Sequence, residues 1–125
     1  MNKIITTFLI CSLSLFAHSQ TPTKYGGKDD KLNSISTKQV KVIPISIQNL
    51  NSYTQKYEIL INDKKVRTTD KLIKNQVLKL NVPVKINNPN KLELHNICTL
   101  SIPNNKKEMF RTKICTKAYL YWVKN

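Results

Sequence analysis

From Lys38 almost to its end the chain alternates apolar and polar residues with a period of two. That spacing belongs to strands that bury one face and wet the other. The plainest case is Leu78-Lys79-Leu80-Asn81-Val82-Pro83-Val84-Lys85-Ile86, where every even position is apolar and every odd one polar or proline. Proline has no N–H for a ladder, so this strand belongs at a sheet edge or carries Pro83 at an unpaired position. Earlier, Val40 and Val42 alternate with Gln39 and Lys41, after which the apolar set changes phase to Ile43, Ile45 and Ile47 around Pro44. A phase slip beside a proline predicts a bulge or a strand that changes sheets. Tyr57, Ile59 and Ile61 form the next run and end at Asn62-Asp63, two residues that tolerate positive φ, so a hairpin into residues 64–69 follows.

Lys74-Asn75 and Asn87-Asn88-Pro89-Asn90 read as turns, and because no glycine follows Gly27, asparagine has to supply their left-handed positions. No segment carries a sustained helical stripe. Six or seven strands joined by turns predict an all-β fold: a small antiparallel β-sandwich of immunoglobulin-like type, with a small β-barrel as the alternative. Such an architecture resembles the immunoglobulin-like modules of bacterial surface and pilus systems. That likeness of fold implies no activity.

The chain is organised around its last stretch, residues 98–122, which holds Cys98, Cys115 and the single tryptophan, Trp122. Cys98 and Cys115 lie symmetrically about a turn at residues 104–108. A four-residue loop at 105–108 makes paired residue numbers sum to 213 and sets the two cysteines directly opposite each other. The same register sets Leu100 against Lys113 and Ile102 against Arg111, so a bulge in the final strand is expected to restore apolar pairing.

The opening residues change the picture of where this fold sits. Met1-Asn2-Lys3, an apolar run from Ile4 to Ala17, and small residues at Ala17 and Ser19 make an export signal over residues 1–19, with Gln20 as the expected first mature residue. The run is too short to span a bilayer, and Phe8-Leu9-Ile10 before Cys11 does not suit lipid attachment, so no transmembrane segment is expected after cleavage. Residues 20–37, with Pro22, Gly26-Gly27 and a charged cluster, read as a flexible lead-in, and residues 38–125 as the β-sandwich domain. Export to the periplasm or beyond also makes Cys98–Cys115 a disulfide.

Charge and chemistry come last because they discriminate least. The formal net charge is +14, and removal of Lys3 leaves 20 basic against 7 acidic residues. Only Arg67 and Arg111 are arginines, which weighs against base-specific readout of nucleic acid. Arg111, Lys113, Lys117, Tyr119 and Tyr121 could form a basic and aromatic surface for a polyanion such as lipopolysaccharide, an anionic envelope surface or nucleic acid. His95 shares a strand face with Glu93, a pairing open to base chemistry, yet no nucleophile motif accompanies it and no catalytic residue is assigned. Neither a metal site nor any cofactor is expected. The expected function is a non-enzymatic secreted or periplasmic interaction module that binds a protein partner, with a cationic polyanion binder as the alternative.

Overall fold

The computed structural model describes residues 17–105 and 111–125, and these build two sheets packed face to face. Strands β1 (His18–Thr21), β4 (Val40–Asn49) and β7 (Val77–Lys85) form the first in the order β1-β4-β7. Strands β2 (Lys24–Gly26), β9 (Lys113–Trp122), β8 (Leu92–Ile102), β5 (Lys56–Ile61) and β6 (Lys64–Thr68) form the second in that order, and β3 (Ile35–Ser36) also pairs with β9. One helical turn, α1 (Lys31–Ser34), lies between β2 and β3. The fold is an immunoglobulin-like β-sandwich rather than a closed barrel, because β6 and β7 end their sheets without pairing to each other. All pairings between these strands are antiparallel except those of β2 and β3 with β9.

The core lies between the sheets. Ile43, Ile45 and Ile47 of β4 and Leu80, Val82 and Val84 of β7 face Tyr57 and Ile59 of β5, Ile97 of β8, and Ala118 and Leu120 of β9. Each fully buried aliphatic side chain contributes about 1.5–3 kcal/mol through removal from water. Trp122 packs against the edge of this cluster.

The two prolines in the first sheet stand where the ladder does not need their N–H. Asn49 N–H donates to Gln76 C=O and Ile86 N–H donates to Gln39 C=O. Those bonds fix which alternate β4–β7 pairs exchange hydrogen bonds, and Pro83, opposite Val42, falls in the other set, so its missing N–H faces the free side of β7. Pro44 lies beyond the last β1 pairing, Thr21 opposite Ser46, where the chain has already crossed through the cis Thr21–Pro22 bond towards the second sheet.

Turn chemistry follows the sequence closely. Among the described residues, those other than glycine with positive φ are Asn62, Asp63, Asn75 and Asn90, and Asn62-Asp63 closes the β5–β6 hairpin with successive φ values of 52° and 68°. Other expectations need correction. No bulge accompanies the phase change at Pro44: β4 pairs with β7 in one register from Val40 to Gln48, and Val40 and Val42 are simply exposed on the outer face. Nor is there a bulge in β9. The β8–β9 pairs sum to 213 from Leu92–Tyr121 to Leu100–Lys113, because Leu100 and Ile102 are not core residues; the inward face of β8 is His95, Ile97, Thr99 and Ser101. The turn itself lies partly outside the described residues.

Residues 20–37, expected as a flexible lead-in, are woven into both sheets. β1 continues through Gln20 and Thr21, and β2, α1 and β3 follow along β9. Their anchors are backbone ladders and polar side chains, which leave no apolar signature. The expected leader boundary between Ser19 and Gln20 falls inside β1.

Candidate interaction edges and the buried polar seam

The Cys98–Cys115 disulfide bridges directly opposed residues of β8 and β9, with Cα atoms 4.0 Å apart. Both sulfurs lie on the side of the sheet away from the core, and Leu60 of β5 pairs beside Cys98. The bridge therefore locks the register of the central hairpin and holds the outer face of the sheet flat against slippage.

On that outer face the five residues of the expected basic and aromatic surface part company. Lys113, Lys117, Tyr119 and Tyr121 share the outward side of β9, but Lys113 is tied to Asp63 at 2.9 Å and the Arg111 guanidinium lies 3.3 Å from Glu58 while its Nε donates to Ser101 C=O. The Lys24 ammonium sits 5.3 Å from the Tyr119 ring centre. Two of the three expected cations are thus neutralised locally, and one of the two rings already holds a cation.

His95 and Glu93 are brought together, though for support. Glu93 Oε1 lies 2.9 Å from His95 Nε2, and Asn62 Nδ2 lies 2.9 Å from His95 Nδ1, so both ring nitrogens are engaged. Glu93 also accepts from the backbone N–H groups of Asn87 and Asn88. Burial pushes its carboxyl up, but the hydrogen bonds from Asn87, His95 and Asn88 outweigh that and hold it below the usual carboxylate range. The arrangement ties the β5–β6 turn and the loop before β8 to one strand.

A second histidine network had no signal in the pattern. His18 is 1% exposed, packs at a tilt of 45° against Tyr57 with ring centres 4.7 Å apart, and places Nδ1 2.8 Å from Thr112 Oγ1 and Nε2 2.9 Å from Thr99 Oγ1. Thr99 donates to Gln20 Oε1, and Gln20 Nε2 donates to Thr116 Oγ1 and to Ile97 C=O. Thr99 has one proton and gives it to Gln20, so His18 Nε2 must be the donor to Thr99 and Nδ1 the acceptor from Thr112. Thr116 passes its proton to Pro22 C=O. This seam runs through the sandwich under β1, and every buried side-chain N or O among the described residues is satisfied. Burial lowers the His18 pKa to about 4 against the partial support of Thr99, and it pushes the Tyr57 hydroxyl well up from its ordinary value.

The open elements are the strand edges. β6 ends one sheet and β7 the other, and a cleft of about 330 Å³ opens between them, floored by Ile59, Ile61 and Val82 and flanked by Val66, Arg67 and Pro83. On the opposite side, β2 covers β9 only at Lys117–Tyr119 and β3 only at Tyr121–Trp122, so among the described residues no strand pairs with 113–116 on that side. Among the described residues no group of three or more His, Cys, Asp or Glu side chains is placed to hold a metal ion, and no helix is long and apolar enough to cross a membrane.

This geometry can be set beside known proteins. No family model matches the chain, and no curated protein matches it in sequence. Among solved structures, the E. coli chaperone DraB superposes with a TM-score of 0.62 at 13% identity, over 86% of this chain and 56% of that one. The likeness is one of fold. This chain spans little more than half the length of DraB.

Proposed function

We propose that this chain is an exported, non-enzymatic β-sandwich module that binds a protein partner through its open strand edges. The observation that carries the reading is the set of strands with one open side among the described residues, β6, β7 and residues 113–116 of β9, in a sandwich whose buried polar side chains are all hydrogen-bonded. An exposed edge offers a row of backbone donors and acceptors that another extended chain can satisfy. The fold is shared with a protein named as a chaperone, whose work is with other proteins, and this supports the choice of partner class. A non-enzymatic role fits the engagement of His95 on both ring nitrogens. An oxidising compartment fits the Cys98–Cys115 bridge.

The test is photo-crosslinking in cells that export the full chain. A photoreactive residue is placed at Lys65, Lys79 or Lys113, on the three edges, and at Lys41 on the central strand β4 as control. Discrete protein adducts from at least one edge position and none from Lys41 support the reading; equal labelling at all four positions refutes it. Recovery of the chain only from the cytoplasm, with free thiols at Cys98 and Cys115, refutes export. Polyanion binding is the rival, weakened by the pairing of Arg111 with Glu58 and Lys113 with Asp63, and it predicts retention on heparin to higher salt than an unrelated protein of equal charge.

A further inference from the structure

The cleft between β6 and β7 differs from the remaining edges in pairing two free edges with an apolar floor. Val66 is 52% exposed on a strand whose every other member is polar or charged, and it lines the cleft together with Ile59, Ile61 and Val82. On the β7 side the register dictates what the edge can offer. Lys79, Asn81 and Pro83 fall in the non-exchanging set of β4–β7 pairs, so the backbone N–H and C=O of Lys79 and Asn81 point to the open side, and only Pro83 lacks a donor there. Extended polypeptide is the ligand that matches such a row, since it alone carries complementary backbone groups at strand spacing and sends every second side chain to one face.

Charge narrows the choice. Lys64, Lys65 and Arg67 lie on β6, and Lys79 and Lys85 on β7. Of the carboxylates near them in sequence, Glu58 is committed to Lys65 and Arg111 and Asp63 to Lys113, while neither exposed Asp70 nor Arg67 makes an ion pair among the described residues. Lysines and prolines on edges are commonly a defence against self-pairing. The lysines defend by like-charge repulsion against a second copy carrying the same net positive charge, and the same charges attract an acidic chain.

We propose that the β6–β7 cleft is a docking groove for an extended segment of a protein partner in which apolar residues alternate with acidic ones, the apolar side chains entering the cleft and the carboxylates meeting Arg67 and the flanking lysines. The inference rests on the reading of the chain as an interaction module and adds the site and the partner's chemistry.

The experiment uses the oxidised full chain as cells release it, isotopically labelled, titrated with three octapeptides: alternating Glu-Val, alternating Lys-Val, and all-Glu. Saturable binding of the Glu-Val peptide is expected, with amide shifts concentrated at Val66–Arg67 and Lys79–Val82. Arg67→Glu, at an exposed edge position, should weaken that peptide about tenfold. Asn81→Pro, which removes one outward N–H and leaves the β4 ladder intact, should weaken it while the remaining spectrum shows an unchanged fold. Equal affinity for the Lys-Val peptide overturns the charge argument, and equal affinity for all-Glu shows that charge alone is read and overturns the groove. Shifts confined to residues 113–116 overturn the groove while leaving the broader reading of the module intact, and so does the absence of binding by any peptide when edge crosslinks are nonetheless seen in cells.

Discussion

Protonation of His18 gives the sharpest quantitative test of how the two sheets are joined. In the folded chain the imidazole is buried against Tyr57 and its pKa is lowered from 6.5 to about 4, chiefly by burial. A group whose charged form is disfavoured by folding binds its proton more readily in the unfolded chain, so stability is fully present above pH 6.5 and is lost as pH falls towards 4. Integrating between those two values gives a loss of about 2 kcal/mol by pH 5 and about 3 kcal/mol by pH 4 relative to pH 7. Glu93 acts outside most of this window, since its lowered pKa removes stability only as pH falls through a value below the ordinary carboxylate range. Urea unfolding of the oxidised chain, begun at Ala17 so that β1 is complete, would be followed by Tyr and Trp fluorescence at pH 7, 6, 5 and 4. His18→Gln keeps an amide that can bond Thr99 but does not titrate. It should flatten the curve between pH 6.5 and 4.5. If wild type and His18→Gln lose stability in parallel across that range, the seam does not hold a neutral imidazole and the packing of β1 over Thr99 and Thr112 is wrong.

Three further outcomes follow from the same structure. Cys98→Ser with Cys115→Ser opens a crosslink spanning 17 residues and should cost about 3 kcal/mol in unfolding free energy, with the midpoint of denaturation falling and no change in strand content by circular dichroism. Ile43→Ala removes a fully buried side chain and should cost about 2–5 kcal/mol, while neighbouring Val42→Ala, at 51% exposure, should cost less than about 0.5 kcal/mol; reversal of that order would place the β4 face incorrectly. Asn62→Ala keeps a β-carbon at φ 52° but loses asparagine's tolerance of that conformation and the amide that bonds His95 and the backbone of Asn96, and should cost about 2 kcal/mol by thermal unfolding, whereas Asn62→Gly should recover the turn's share of that loss.

The parts of this fold that could be read in advance are those written in periodic apolar residues and turn chemistry. Leu80, Val82, Val84 and Ile86 announced the inward face of β7, Pro83 announced its edge position, and the spacing of Cys98 and Cys115 fixed the β8–β9 register. Apolar residues misled where they face solvent. Val40, Val42, Leu92 and Leu94 carry the alternation of a buried face but lie outside, so the phase slip at Pro44 and the mismatch of Leu100 with Lys113 suggested bulges that do not exist. The polar seam was invisible for the converse reason. His18, Gln20, Thr99 and Thr116 are buried by hydrogen bonds to one another across more than half the chain, and no local pattern marks such residues as interior. Lys117, Tyr119 and Tyr121 share one face of β9 because strand period is local. The acids that neutralise Arg111 and Lys113 come from β5 and the β5–β6 turn.

The pairing of β2 and β3 with β9 makes the first strands of the second sheet neighbours of its last. Polymerised from the N-terminus, the chain cannot complete its second sheet, bury Leu120 or close the hairpin that carries Cys115 until Trp122 has emerged. Pairings this distant form slowly, since their loop-closure cost comes before any reward. Until then β2 and β3 have nothing in that sheet to lie against. Such wiring keeps the nascent polypeptide threadable for most of its synthesis, and it makes β9 the latch that converts a string of separate hairpins into one cooperative unit.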